Sequence, residues 1–91
     1  MRFYQECIRV ANSVGALMNE KEKTAFVHGD TARIEDYQYT LDIWIRNHLL
    51  PHNTYLVQAL TVLGYATTKE QSLYLIDFAR QYWKLSQADM L

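Results

Sequence analysis

A chain of 91 residues, 49% of them apolar, is too apolar for disorder and has the length of one domain, residues 1–91. Nine Lys and Arg against ten Asp and Glu leave a net charge of −1, so neither nucleic acid nor an anionic membrane is attracted to the chain as a whole. The one cysteine excludes an internal disulfide and points to a reducing setting, the cytoplasm.

The first residues, Met1-Arg2-Phe3-Tyr4-Gln5-Glu6, lack the apolar centre of a signal peptide. No apolar run nears the roughly 18–20 residues that span a bilayer. With one Pro and three Gly, tight turns are scarce, and long elements with few connections are expected.

A first helix is predicted over about residues 2–19. Phe3, Cys7, Val10, Val14 and Leu17 recur at intervals of four and three, and Ala11 and Met18 widen that stripe. Gly15 costs this helix up to about 1 kcal/mol relative to Ala, and is either neutral or the mark of a close helix crossing. Residues 20–30 then break the rhythm. Glu20-Lys21-Glu22-Lys23 reads as a solvated stretch that either extends the helix or forms a connection, with Phe26 anchored in the core.

A second helix is expected to open on Asp30 or Thr31 as N-cap, with Glu35 and Asp36 near its positive end. Ile34, Tyr37, Leu41, Trp44 and His48, with Ile45 and Leu49 beside them, form its inner face. Asp42 and Arg46 form an i,i+4 pair assigned to the outer side. Pro51 stops the helix near Leu49. Asn53 or Thr54 caps a third helix over 54–63, carrying Leu56, Ala59, Leu60 and Leu63 inward, and Gly64 ends it. Thr67 and Glu70 fit a capping box that opens a fourth helix, from about 68 to at least 85. The expected fold is all-α: a small, irregular, bundle-like domain of four helices with mostly antiparallel neighbours.

Catalytic chemistry finds little support. Cys7 lies on an apolar stripe, where a free cysteine acts as a small hydrophobe. His48 and His52 are four apart, and His28 with Asp30 lies in a stretch that could approach them. Pro51 interrupts the helix between the two rings, and no Glu follows His48 as it would in a metalloprotease. Glu35 and Asp36 diverge on their helix and are explained by its dipole. No glycine-rich loop precedes a helix to cradle phosphate. Neither metal, cofactor nor small-molecule substrate is expected, and the chain is not read as an enzyme.

The fourth helix carries the functional expectation. Leu73, Ile76, Ala79 and Trp83 lie toward one side. Leu75, Phe78, Tyr82 and Leu85 keep a second three–four rhythm with Tyr74 on its flank, and Asp77, Arg80, Gln81 and Lys84 form a narrower polar face. Either the helix is central and all of these are core, or one stripe completes the fold and the other meets a second chain. The second reading is favoured, because Tyr and Trp suit interfaces. The sequence therefore points to a non-catalytic protein-binding module (adaptor, inhibitor or regulatory subunit). Tyr74, Phe78, Tyr82 and Leu85 would make contact, with Arg80 and Lys84 on the rim. The partner would be another protein or a second copy, as in a homodimer. One alternative is a helix-turn-helix-like DNA-binding regulator built on the third and fourth helices, although only Lys69 is cationic in the first turn of the latter. A further alternative is a metal-dependent enzyme using the histidines.

Overall fold

The apolar stripe at the start of the chain stops sooner than its spacing suggests. In the computed structural model, which describes residues 2–28 and 31–89 and the side chains of all of these but 31–34 and 87–89, α1 (Arg2–Gly15) gives way to a turn. The cause is a second capping box. Glu22 N donates to Asn19 Oδ1 at 2.7 Å, and Asn19 N donates to Glu22 Oε1 at 3.0 Å. This opens a separate helix, α2 (Glu20–His28). The described residues thus form five α-helices, not four, and no strand. Leu17, expected on the inner stripe, lies in the turn and is 49% exposed, whereas Cys7, Val10, Ala11, Val14 and Met18 are buried.

Phe26 anchors α2 as expected. It is fully buried and meets Tyr37 and Trp83 edge-on, at centroid distances of 6.3 and 5.8 Å. The cap foreseen at Asp30 or Thr31, and the side chain of Ile34, lie outside the described residues. In α3 (Thr31–Trp44) Leu41 is buried, and Tyr37 and Trp44 are half-buried.

Pro51 does not stop the chain's helical course near Leu49. The backbone widens into a π-helical turn over Ile45–Leu49, where Leu50 N donates to Ile45 O, and then tightens into a 3₁₀ turn over Leu50–His52. Proline offers no N–H to the ladder, and near the start of a 3₁₀ turn that loss costs least. Asp42 and Arg46 do pair, at 2.8 Å, but Asp42 points inward and is only 5% exposed. The small Ser72 of α5 (Thr68–Asp89) packs there, its Oγ donating to Asp42 O at 3.5 Å.

Asn53 caps α4 (Thr54–Val62) by accepting from Leu56 N at 3.1 Å, and its Nδ2 donates to Glu6 on α1 at 3.4 Å. Leu56 and Leu60 are buried. Gly64, at φ +104°, supplies the left-handed residue of a Schellman ending in which Tyr65 N donates to Leu60 O and Gly64 N to Thr61 O. That reversal leaves Leu63 outside at 57% exposure, against expectation. Thr67 then caps α5 (Thr68–Asp89), accepting from Glu70 N at 3.1 Å.

α5 touches every other helix. Among its described side chains, Gln71, Ser72, Leu75, Ile76, Ala79 and Trp83 are buried. Buried Gln71 holds the α4–α5 turn, donating to Tyr65 O at 2.9 Å and to Thr61 Oγ1 at 3.2 Å. Phe3 meets Tyr74 near the start of both helices, and Gly15 meets Trp83 farther along, so α1 and α5 run parallel rather than antiparallel. A methyl on Gly15 would sit 3.4 Å from both Trp83 Cζ2 and Lys23 Cε, an ordinary contact distance.

Two substitutions test this packing by denaturant unfolding. Phe26→Ala should cost about 3–5 kcal/mol, since it empties the junction of α2, α3 and α5. Gly15→Ala should gain about 0.4–1 kcal/mol by restricting the unfolded chain. A loss at Gly15→Ala would mean that the crossing is too tight for a methyl.

Candidate functional site

The second stripe of α5 is where the structure departs most usefully from the sequence reading. Leu75, assigned to that stripe, is core at 1% exposure, while Leu73, assigned to the first, is 40% exposed. At 100° per residue the buried arc of α5 spans about 140°, from Gln71 through Leu75, Ala79 and Trp83 to Ile76. Tyr74, Phe78 and Tyr82 sit along one margin of that arc, half-buried, and Leu85 lies beyond it at 64% exposure.

Residues from α1 and the α4–α5 turn join this margin. Phe3 lies 6.2 Å from Tyr74, and Tyr65 lies 4.8 Å from Tyr74. Tyr4 meets Phe78 edge-on at 5.7 Å, and Phe78 stacks on Tyr82 at 6.3 Å. The result is an aromatic edge along the parallel pair α1 and α5, made of two ring groups, Tyr65–Tyr74–Phe3 and Tyr4–Phe78–Tyr82, that follow one another along the chain. Tyr4, at 51% exposure, belongs to it and was missed from sequence. Its place depends on the α1–α5 pairing, which no local signal announces.

Of the two cations assigned to the rim, one lies elsewhere. Arg80 is half-buried, with its guanidinium 5.9 Å from the Phe26 ring centroid, and so borders α2 on the opposite margin of the buried arc. Lys84 is exposed, 40° farther round the helix from Arg80. Burial pushes the Tyr74 hydroxyl pKa up from its usual value, with Cys7, Tyr65 and Asp77 adding to the shift.

Clefts among the described residues flank the fold. One, of about 370 Å³, is lined by Leu17, Met18, Tyr37, Leu41 and Trp44, with Glu22, Asp36 and Thr40 as its polar members. Neither this cleft nor Leu17's part in it is legible in the sequence, whose apolar spacing carries the first helix past its end at Gly15. Another, of about 290 Å³, lies between α3 and the start of α5 and includes Asp42, Tyr39, Lys69 and Leu73.

His48 is exposed and its ring lies 5.5 Å from that of Trp44; His28 and His52 are also exposed. Among the described residues, no three His, Cys, Asp or Glu side chains gather as metal ligands would. No described helix is long and apolar enough to cross a membrane. No protein-family model, curated protein or solved structure matches the chain.

Cys7 is buried beneath the aromatic edge, and burial, with Glu6 adding, pushes its thiol up to about 11. At pH 8 the folded chain should therefore carry about a hundredfold less thiolate than the unfolded chain, whose ordinary value is 9.0. Alkylation should be slower by at least that factor until denaturant is added. Because the folded pKa is the higher one, the thiol's contribution to stability is intact below about 9 and is lost as pH rises through about 11. Fast alkylation of the native chain would show Cys7 to be reachable.

Proposed function

We propose that the chain is a non-catalytic protein-binding module, an adaptor, inhibitor or regulatory subunit of the cytoplasm, acting through the aromatic edge of α1 and α5. The observation that carries this reading is the run of half-covered rings from Tyr65 through Tyr74, Phe3, Tyr4 and Phe78 to Tyr82, continued by exposed Leu85. Large rings with a polar tip bury much area at modest entropic cost, which makes them the usual anchors of protein interfaces. These rings hold one another in place, so little rotamer freedom remains to be lost when a partner covers them.

Tyr74, Phe78, Tyr82, Leu85 and Tyr4 form the contact surface in this proposal. Arg80 is reassigned to the α2 side, where it braces Phe26. Leu85 is the residue to change, because its exposure leaves the fold indifferent to substitution within about 0.5 kcal/mol. The Leu85→Asp chain should melt as the wild type does, yet lose whatever copurifies with the wild type, another protein or a second copy. Affinity capture from the host, paired with light scattering on the purified chain, makes the comparison. A wild-type chain that is monomeric and captures nothing sensitive to Leu85→Asp would overturn the proposal.

A further inference from the structure

We infer that the occupant of this edge is a second copy of the chain, with the two α5 helices packed antiparallel about a dyad at Gln81. The inference rests on the protein-binding reading above and names the partner. Its basis is the residue pattern of the uncovered margin. Tyr74, Phe78, Gln81 and Leu85 follow one another at intervals of four, three and four, the spacing of a two-helix seam. Tyr74 and Phe78 are half-buried by α1, and Gln81 and Leu85 are exposed, so the seam is most open toward the C-terminal half of α5.

Charge selects the partner. Asp77 immediately precedes Phe78 and Lys84 immediately precedes Leu85, which puts both on the same flank of the seam, seven residues apart. Both are exposed and of opposite sign. In an antiparallel pair each flank faces the same flank of its partner, so a dyad at Gln81 brings Asp77 opposite Lys84 of the second copy. Symmetry makes the contact twice. The axial mismatch is one residue, about 1.5 Å, within reach of a lysine. The same dyad sets Phe78 beside Leu85 of the second copy and the two Gln81 amides against each other, and a polar residue at a seam position fixes register. With a net charge of −1 per chain, two copies repel each other little. The surface is thus complementary to itself.

Charge reversal tests this with exposed residues only. Sedimentation of the wild-type chain over a broad concentration range should show a monomer–dimer equilibrium. Asp77→Lys and Lys84→Asp should each weaken it by about tenfold or more, since every cross-pair becomes like-charged. The double swap should recover the wild-type constant to within about threefold. Circular dichroism melts of all four chains, read at a concentration where each is monomeric, should coincide. A wild-type chain that stays monomeric, or a double swap no tighter than the single variants, overturns the antiparallel dimer. If the wild type is monomeric while Leu85→Asp still abolishes capture of another protein, self-association falls and the protein-binding reading stands. If Leu85→Asp affects neither, both fall.

Discussion

The fold depends on one helix serving as a wall for all the others. A chain of 91 residues can bury only about 60–65% of the surface its unfolded form exposes, so its core must be drawn around few elements. α5 meets that demand by presenting a buried arc of about 140°, wider than the stripe of roughly 100° that suffices for a helix with one neighbour. Close approach on several sides needs small or polar-satisfied residues in that arc. Ser72 lets α3 approach, Ala79 keeps the centre narrow, and Gln71 ties down the α4 turn through its amide. Trp83 fills the space that opens where α1 ends at Gly15.

What the sequence made legible was local chemistry. Asn53, Gly64 and the Thr67–Glu70 pair act within a few residues of themselves, and each takes the role that its side chain or its freedom at positive φ dictates. The Asn19–Glu22 box is the same device, yet it was hidden in a run of alternating charges that reads equally well as loop or as continuing helix. Asp42 shows the opposite failure. An i,i+4 acid–base pair is ordinary on a solvated face, and only the arrival of α5 across α3 turns it inward. The π-helical turn before Pro51 likewise reflects a ladder accommodating a missing donor, where a simple stop was expected.

The candidate site was legible in kind but not in membership. Adjacent apolar positions such as Leu73, Leu75 and Ile76 all satisfy one helical rhythm or another, and which of them is core depends on where the neighbouring axes lie. Phe78, Tyr82 and Leu85 remain on the open margin, Leu75 goes to the core, and Arg80 crosses to Phe26. Tyr4 enters from a helix more than seventy residues away in sequence, brought alongside by the parallel α1–α5 pairing. That pairing is a choice among global arrangements, to which intervals of three and four are blind.

The aromatic edge follows from the same constraint that shapes the core. A helix surrounded on several sides needs more apolar residues than one with a single neighbour, and at the margins of its arc such residues are covered only in part. On α5 one margin is closed by Arg80 lying over Phe26, where a cation shields an apolar ring from water. The other margin has no such closure among its described residues: Phe3 and Tyr4 cover part of Tyr74 and Phe78, and beyond them Gln81 and Leu85 face outward. The asymmetry between these margins is the physical content of the proposed interface. Rings braced against one another are already ordered, so the entropy of arranging them is spent in folding and need not be spent again on association.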